Sequence, residues 1–383
     1  TLSVSFSSIS DLSGIEDFTA LEELYCNNNQ LTSLDVSGCT ALEELYCNNN
    51  QLTSLDVGNN TALIELGCSF NQLTTLDVSQ NTALTKLHCN SNQLTTLDVS
   101  QNTSLTNLDC GDNQLTNLDV SQNTALTFLI CNTNQITNLD VSQNTALTAL
   151  TCGGNQLTSL DVSQNTALIG LSCYYNQLTS LDISNNTTLI GLFCQGNQLT
   201  SLDVTQNTAL QSLHCAENQL TSLDLSQNNS LTFLNFVGQW LTCLNLKNGN
   251  NTSLTNLSAF FNPNLTCIEV DDPTWSTQNW TSIDPGVTFS TNCNYPAGCF
   301  SNSTNVEEYQ SNISIYPNPT NNLIQIEIEN YNGRFQAELY DFTGKLLKTT
   351  NSTSLSLADY PRGIYLLKVA YGDRVEQLKV VKE

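Results

Sequence analysis

Fifteen cysteines, two histidines and 35 carboxylates are the reactive groups of this chain, and their spacing decides what chemistry they can do. Ten cysteines recur at a strict interval of 21: Cys26, Cys47, Cys68, Cys89, Cys110, Cys131, Cys152, Cys173, Cys194 and Cys215. Metal or redox chemistry needs thiols converging on a point, with spacings such as C-x-x-C. A constant long interval instead places one thiol per repeat along a line. If the repeats stack at an interstrand distance of about 4.8 Å, the thiols sit too far apart for a relaxed disulfide, whose Cβ atoms lie roughly 3.5–4.5 Å apart. These ten are expected to be small buried hydrophobes, and burial would shield free thiols outside the cell. Cys39, Cys243, Cys267, Cys293 and Cys299 fall off the register. Cys39 replaces a turn asparagine and should be buried. A Cys267–Cys293 bridge would pin a terminal cap, and Cys243 with Cys299 is a second candidate pair, although spacing alone does not give connectivity.

The other reactive groups form no catalytic constellation. His88 and His214 lie six repeats apart, about 29 Å at that spacing, so they share no site. No G-x-S-x-G, H-E-x-x-H or phosphate-binding glycine loop occurs. Asp35, Asp56, Asp77, Asp98, Asp119, Asp140, Asp161, Asp182, Asp203 and Asp224 form a ladder of their own. A flat row of carboxylates lacks the cage of oxygens that a calcium ion takes. It is read as a solvated face that blocks lateral aggregation. No metal, no cofactor and no enzymatic activity are expected.

The positions of these groups follow from a 21-residue unit, seen cleanly as LIELGCSFNQLTTLDVSQNTA from Leu63 to Ala83. Ten such units run from Leu21 to Ser230. Each has two similar halves, L-x-x-L-x-C-x-x-N-Q and L-T-x-L-D-V-S-x-N-T-A. One unit offers five or six sizeable apolar side chains, worth about 1.5–3 kcal/mol each on burial. Ordering its backbone costs about 1–2 kcal/mol per residue. A lone unit therefore does not fold, and neighbours must stack on it. The triplets around each Cys and Val alternate inward and outward as short parallel strands do. Two parallel sheets are expected on opposite sides of a flattened coil, with little helix. Two asparagine columns, Asn29 to Asn218 and Asn60 to Asn228, should satisfy the turns. The pattern resembles the bacterial leucine-rich repeats with nested ten- and eleven-residue halves, in which Cys replaces one consensus Leu. That resemblance implies a leucine-rich-repeat solenoid, an all-β fold.

Charge divides the chain. Residues 1–300 hold 25 acids and only two bases, Lys86 and Lys247, whereas residues 301–383 hold ten acids and eight bases. The acidic part argues against nucleic acid or an anionic membrane as partner. No apolar run is long enough to span a membrane. The opening TLSVSFSSIS reads as a strand rather than a leader, so a mature or trimmed form is expected. The expected organisation is a partial repeat or cap over 1–20, the solenoid with its C-terminal cap over 21–292, a linker over 293–311, and a small β-sandwich over 312–383. In that last segment NISIYPNPTNN, LYDFTGKLL, LSLADYPRGIYLLKV and the terminal VVKE resemble the C-terminal sorting domain of type IX secretion cargo. The resemblance implies contact with the secretion machinery and export through the periplasm to the cell surface or beyond.

Variation within the repeat carries the functional signal. The L-T-x-L-D-V-S half barely changes, whereas outward positions of the Cys half change freely. They bear Tyr25, Tyr46, His88, Asp109, Phe128, Tyr174, Tyr175, Phe193 and His214. A monotonous scaffold with one varied, aromatic-dotted face is how a recognition surface is written. The expected function is a secreted or cell-surface binding or adhesion protein whose variable face recognises a protein or glycan. The alternative is a structural subunit that self-associates into a surface layer or filament.

Overall fold

A computed structural model describes residues 1–295, 299–300, 313–328, 331, 333–341, 345–371 and 374–382. They belong to two compact units, Thr1–Ser301 and Asn302–Glu383. The expected linker lies mostly outside the described residues, since 296–298 and 301–312 are not described. No described helix is long and apolar enough to cross a membrane.

The first unit is a parallel β-solenoid. Three-residue strands such as Glu23–Tyr25, Gly170–Ser172 and Ser212–His214 pair in register with their neighbours 21 residues away. They build one parallel sheet of thirteen strands, from Leu2–Ser3 to Asn256–Ser258. Each coil sends two leucines and the cysteine inward from its first half; its second half sends two leucines, one of them replaced by Ile136 in one coil, and a Val, Ile or Leu. All ten ladder cysteines, and Cys39, have no exposed surface.

The two asparagine columns do different work. In the first, Asn71 Nδ2 donates to the carbonyls of Cys47 (3.0 Å) and Cys68 (3.1 Å), and its Oδ1 accepts from Leu52 N–H (3.0 Å). One side chain thus stitches two coils together. In the second, Asn81 Nδ2 donates to Val57 (3.0 Å) and Asn60 (2.8 Å), and its buried Oδ1 accepts from no protein group.

The second sheet is much shorter than the first. The strands Ser222–Asp224, Cys243–Asn245, Cys267–Glu269 and Thr288–Ser290 form it, and the earlier L-T-x-L-D-V segments are extended without a strand ladder. It begins where the aspartate column stops. Opposed carboxylates on neighbouring strands weaken their pairing. Asp203 precedes Asp224, but Asp224 pairs with Asn245, whose Nδ2 donates to its Oδ1 at 3.1 Å.

A cap closes the C-terminal end. Asp272 accepts the Thr274 and Trp275 N–H groups and so starts the helix Pro273–Asn279. Trp280 Nε1 donates to Leu254 O at 2.9 Å and its ring packs near Trp275 and Phe289. The structure bonds Cys267 to Cys293 and Cys243 to Cys299, with Cα separations of 5.8 and 5.9 Å.

The second unit is antiparallel. Ile313–Tyr316, Leu323–Ile328 and Ser354–Ser356 form one sheet, and Leu346–Thr350, Phe335–Tyr340, Gly363–Tyr371 and Arg374–Lys382 form another. Ile324, Ile326, Leu339, Leu355, Leu367 and Val380 share their core.

This packing predicts thiol reactivity. None of the eleven free cysteines should react with Ellman's reagent in the native chain, and all eleven should react after unfolding in denaturant without reductant. Labelling of any ladder cysteine in the native chain would contradict the inward assignment.

Candidate functional site

The outward surface of the thirteen-stranded sheet is built from the same few positions in every coil. Two lie in the strand, either side of its buried leucine. Two more follow the cysteine, and the second of these turns the chain out of the sheet. That turn residue is left-handed in coil after coil, through Asn28, Asn49, Phe70, Ser91, Asp112, Thr133, Gly154, Tyr175, Gly196, Glu217, Gly238 and Phe261. Asn, Asp and Gly suit this conformation. Aromatic residues do not, and placing one there costs about 1–2 kcal/mol. Even so, Phe70 (53% exposed) and Tyr175 (55%) hold such turns with their rings in solvent.

The N-terminal coils carry an acidic, internally bonded stretch. The Tyr25 and Tyr46 rings stack with centroids 5.5 Å apart. The Tyr25 hydroxyl donates to Glu44 at 2.5 Å, the Tyr46 hydroxyl donates to Glu65, and the Lys86 ammonium pairs with Glu65 at 2.5 Å. The Glu44 hydrogen bond, then burial, pushes the Tyr25 phenol up to about 12. Burial, then the Glu65 hydrogen bond, raises the Tyr46 phenol further. Burial opposes ionisation of Glu65, but Lys86 and Tyr46 outweigh it and hold its carboxyl below the usual range. An open recess of about 520 Å³ on this unit is lined by Asp11, Glu16, Asp35 and Asp56 with serines and two leucines.

Further along, His88 lies in register beside Asp109, whose carboxyl is raised by burial. Phe128 is 46% exposed between Asn107 and Ala149. Tyr174 and Tyr175 meet edge to face with centroids 5.8 Å apart. Phe193 is in register with His214, whose imidazole is lowered by burial and whose ring meets Phe233.

The aspartate ladder lies elsewhere and has its own use. Asp77 accepts Ser79 N–H at 2.9 Å, and Asp98, Asp119, Asp140 and Asp161 repeat the contact with their own serines. The serine backbone and hydroxyl hold the Asp77 carboxyl below its usual range. Each exposed carboxylate thus locks a turn.

Family models and solved structures agree with this architecture. Residues 19–60 match the model described as leucine-rich repeats, and residues 314–383 match the model of a secretion system C-terminal sorting domain. The functional domain of InlJ from Listeria monocytogenes, whose structure includes a cysteine ladder, is 30% identical; the match covers 98% of this chain and 89% of that one, with a TM-score of 0.59. An internalin, inlF, from the same organism is 26% identical over 75% of this chain and 85% of that one, with a TM-score of 0.61. The chain belongs to the leucine-rich-repeat family. No curated protein matches it. Its tail is a sorting domain of the type IX system, which sends the protein to the cell surface or the extracellular space.

Within this leucine-rich-repeat protein, the nine candidate residues do not form one cluster. They fall into the Tyr25–Tyr46 stack, the His88–Asp109 pair, the lone Phe128, the Tyr174–Tyr175 corner and the Phe193–His214 pair. Sequence reasoning missed the glycines that make room for the rings. A Cβ on Gly67 would come within 2.7 Å of the Tyr46 ring, and one on Gly153 within 2.6 Å of three Tyr174 ring atoms. Writing the chain in rows of 21 would have shown it, since Gly67 follows Tyr46, and Gly153 precedes Tyr174, by one row. Also missed was Lys382 in the sorting domain. It is buried, and its ammonium donates to Leu357 O (2.7 Å) and Tyr360 O (2.6 Å). Thr320 N–H donates to Val381 O, and Val381 N–H to Asn318 Oδ1, both at 2.8 Å, so the PNPT and VVK segments hold each other.

The Tyr25–Glu44 bond has a spectroscopic consequence. The phenolate absorbance of the intact chain minus that of Tyr25→Phe should titrate at about 12. Glu44→Gln should move that midpoint down toward about 10. An unmoved midpoint would rule out the carboxylate as the main cause.

Proposed function

We propose that the solenoid is a non-enzymatic binding scaffold that recognises an extracellular protein or glycan through the outward residues of its thirteen-stranded sheet. One contrast carries the reading. The invariant half of each coil commits its outward aspartate to a turn, as Asp77 does with Ser79. The varied half leaves Phe128 and Tyr175 about half exposed. Large rings held in solvent on a rigid sheet are what hot spots are made from, because little entropy is lost when they are covered. Attachment to the surface or release beyond it gives such a face access to partners that a cytoplasmic protein never meets.

The test begins with residues 1–301 applied to protein and glycan arrays. Against whatever partner is found, Phe128→Ala, Phe193→Ala and His214→Ala combined should weaken binding by roughly a hundredfold or more, as loss of aromatic anchors does. Stability should change by only about 0.5 kcal/mol for exposed Phe128, and more for half-buried Phe193 and His214. Unchanged affinity in surface plasmon resonance would remove the sheet from the binding site. Assembly of the purified chain into layers or filaments without ligand would favour the structural reading instead.

Removing residues 312–383 should leave the protein in the periplasm, as followed by fractionation and immunoblotting. Normal appearance of the truncated chain outside the cell would contradict the role of the tail.

A further inference from the structure

We propose that Tyr174 and Tyr175 form a seat for a neutral, β-linked sugar. The assignment rests on the reading of the varied sheet as a recognition surface, and it names the ligand class and the residues within that surface.

Two tyrosine pairs lie on this face, and they differ in how their rings are held. Tyr25 and Tyr46 stack on one another, and carboxylates take both hydroxyls. Their hydrogen-bonding capacity is used inside the protein. Tyr174 and Tyr175 stand edge to face, at 87°, and neither hydroxyl bonds to a described residue. Tyr174 lies across Gly153 in the coil before it, and Tyr175 leans over Gly196 in the coil after it. The two rings therefore splay over three coils and form a corner. Tyr175 reaches this position from a left-handed turn, with φ of 46°. The surroundings are small. Gly170 has nothing within 4 Å of where its Cβ would stand. Thr151 and Ser172, in register with one another, are the outward residues that precede Cys152 and Cys173.

This chemistry selects among ligands. A β-linked pyranose with equatorial hydroxyls carries a flat face of axial C–H groups, which packs on the negative face of an aromatic ring. Its hydroxyls then meet the rim, where phenol, Ser and Thr groups can exchange hydrogen bonds. Side chains are missing around the rings at Gly153, Gly170 and Gly196, with Phe193 in register beside Ser172, so a flat, hydroxyl-rimmed ligand suits the corner better than the large desolvated cluster of a protein hot spot. Anionic sugars are disfavoured by charge. Asp112 acts electrostatically on Tyr174, and between Asp140 and Asp203 the only charged residues are Asp161 and Asp182. No cation is present there to offset a uronate or sulfate.

Calorimetric titration of the full chain with cellohexaose, mannohexaose and N-acetylchitohexaose tests this. At least one should bind. Tyr174→Ala and Tyr175→Ala should each weaken that binding roughly tenfold or more, the usual effect of removing an aromatic anchor. Tyr174→Phe should keep it within about threefold, since the ring is retained. Gly153→Ala, which adds no contact to the ligand but displaces the Tyr174 ring, should weaken it as Tyr174→Ala does, with an unchanged melting temperature. Failure of all three hexasaccharides to bind would overturn the sugar assignment, and the array experiment would still judge the sheet as a recognition surface. Equal binding by wild type and both alanine variants would overturn the location.

Discussion

No coil of this solenoid can satisfy its own backbone. Asn71 shows why stacking is obligatory: it holds the Cys68 carbonyl of its own coil, the Cys47 carbonyl of the coil before, and the Leu52 N–H. Each of those groups would otherwise be buried without a partner, which costs about 1–3 kcal/mol per group. The same contacts recur in Asn92, Asn113, Asn155, Asn176, Asn197 and Asn218. An inward residue must therefore match its column, because its partner is a copy of itself one step away. That is why the cysteines, leucines and asparagines vary so little within the array, with Ile136 in a leucine column and Cys39 in an asparagine column as exceptions. Outward positions of the Cys half escape the constraint, and they are where the residues vary most from coil to coil.

Electrostatics limits the same stacking. A column of identical coils makes columns of identical charges, and the aspartate ladder is the result. Its carboxylates are steadied by serine N–H groups rather than by cations of the protein, and they face water. The second sheet forms only once Asn245 replaces the next aspartate and donates to Asp224. Strand pairing on that side is thus confined to the C-terminal end of the array, although opposed Glu23, Glu44 and Glu65 do not prevent pairing in the first sheet. An exposed edge of that kind would otherwise invite pairing with another chain. At the C-terminal end, the cap of Trp275, Trp280 and Phe289 covers what charge no longer guards.

Periodicity made the fold legible. The 21-residue interval places every inward Leu, Cys and Val, and the change in charge near residue 300 separates the two units. What periodicity could not convey was local. The second sheet begins where an Asp-to-Asn change falls within a column, at Asp224 and Asn245. The left-handed row depends on how the chain leaves the strand after each cysteine, and residues as unlike as Asn28, Thr133 and Phe70 occupy it. Among the candidate residues, type and outward direction were readable, but ring orientation was not. It depends on a neighbour 21 residues away: Tyr46 leans on Gly67, and Tyr174 lies across Gly153.

The two tyrosine pairs show why residue type alone misleads on such a face. Tyr25 and Tyr46 are part-buried, stacked and bonded to Glu44 and Glu65, so covering them with a ligand would mean breaking bonds already made. Tyr174 and Tyr175 owe their positions to missing side chains at Gly153 and Gly196 and to a turn that an aromatic residue ordinarily avoids. Conformational strain of this kind persists where the surrounding structure over-determines it, and it gathers at binding sites. The same column position is Asn or Gly at Asn28, Asn49, Gly154 and Gly196, and Ser, Thr, Glu or Phe at Ser91, Thr133, Glu217 and Phe70. A tyrosine kept in the same place, with its ring half exposed and its hydroxyl unbonded to any described residue, adds nothing to the core and costs backbone energy. Under the proposed reading, that ring serves a ligand outside the chain.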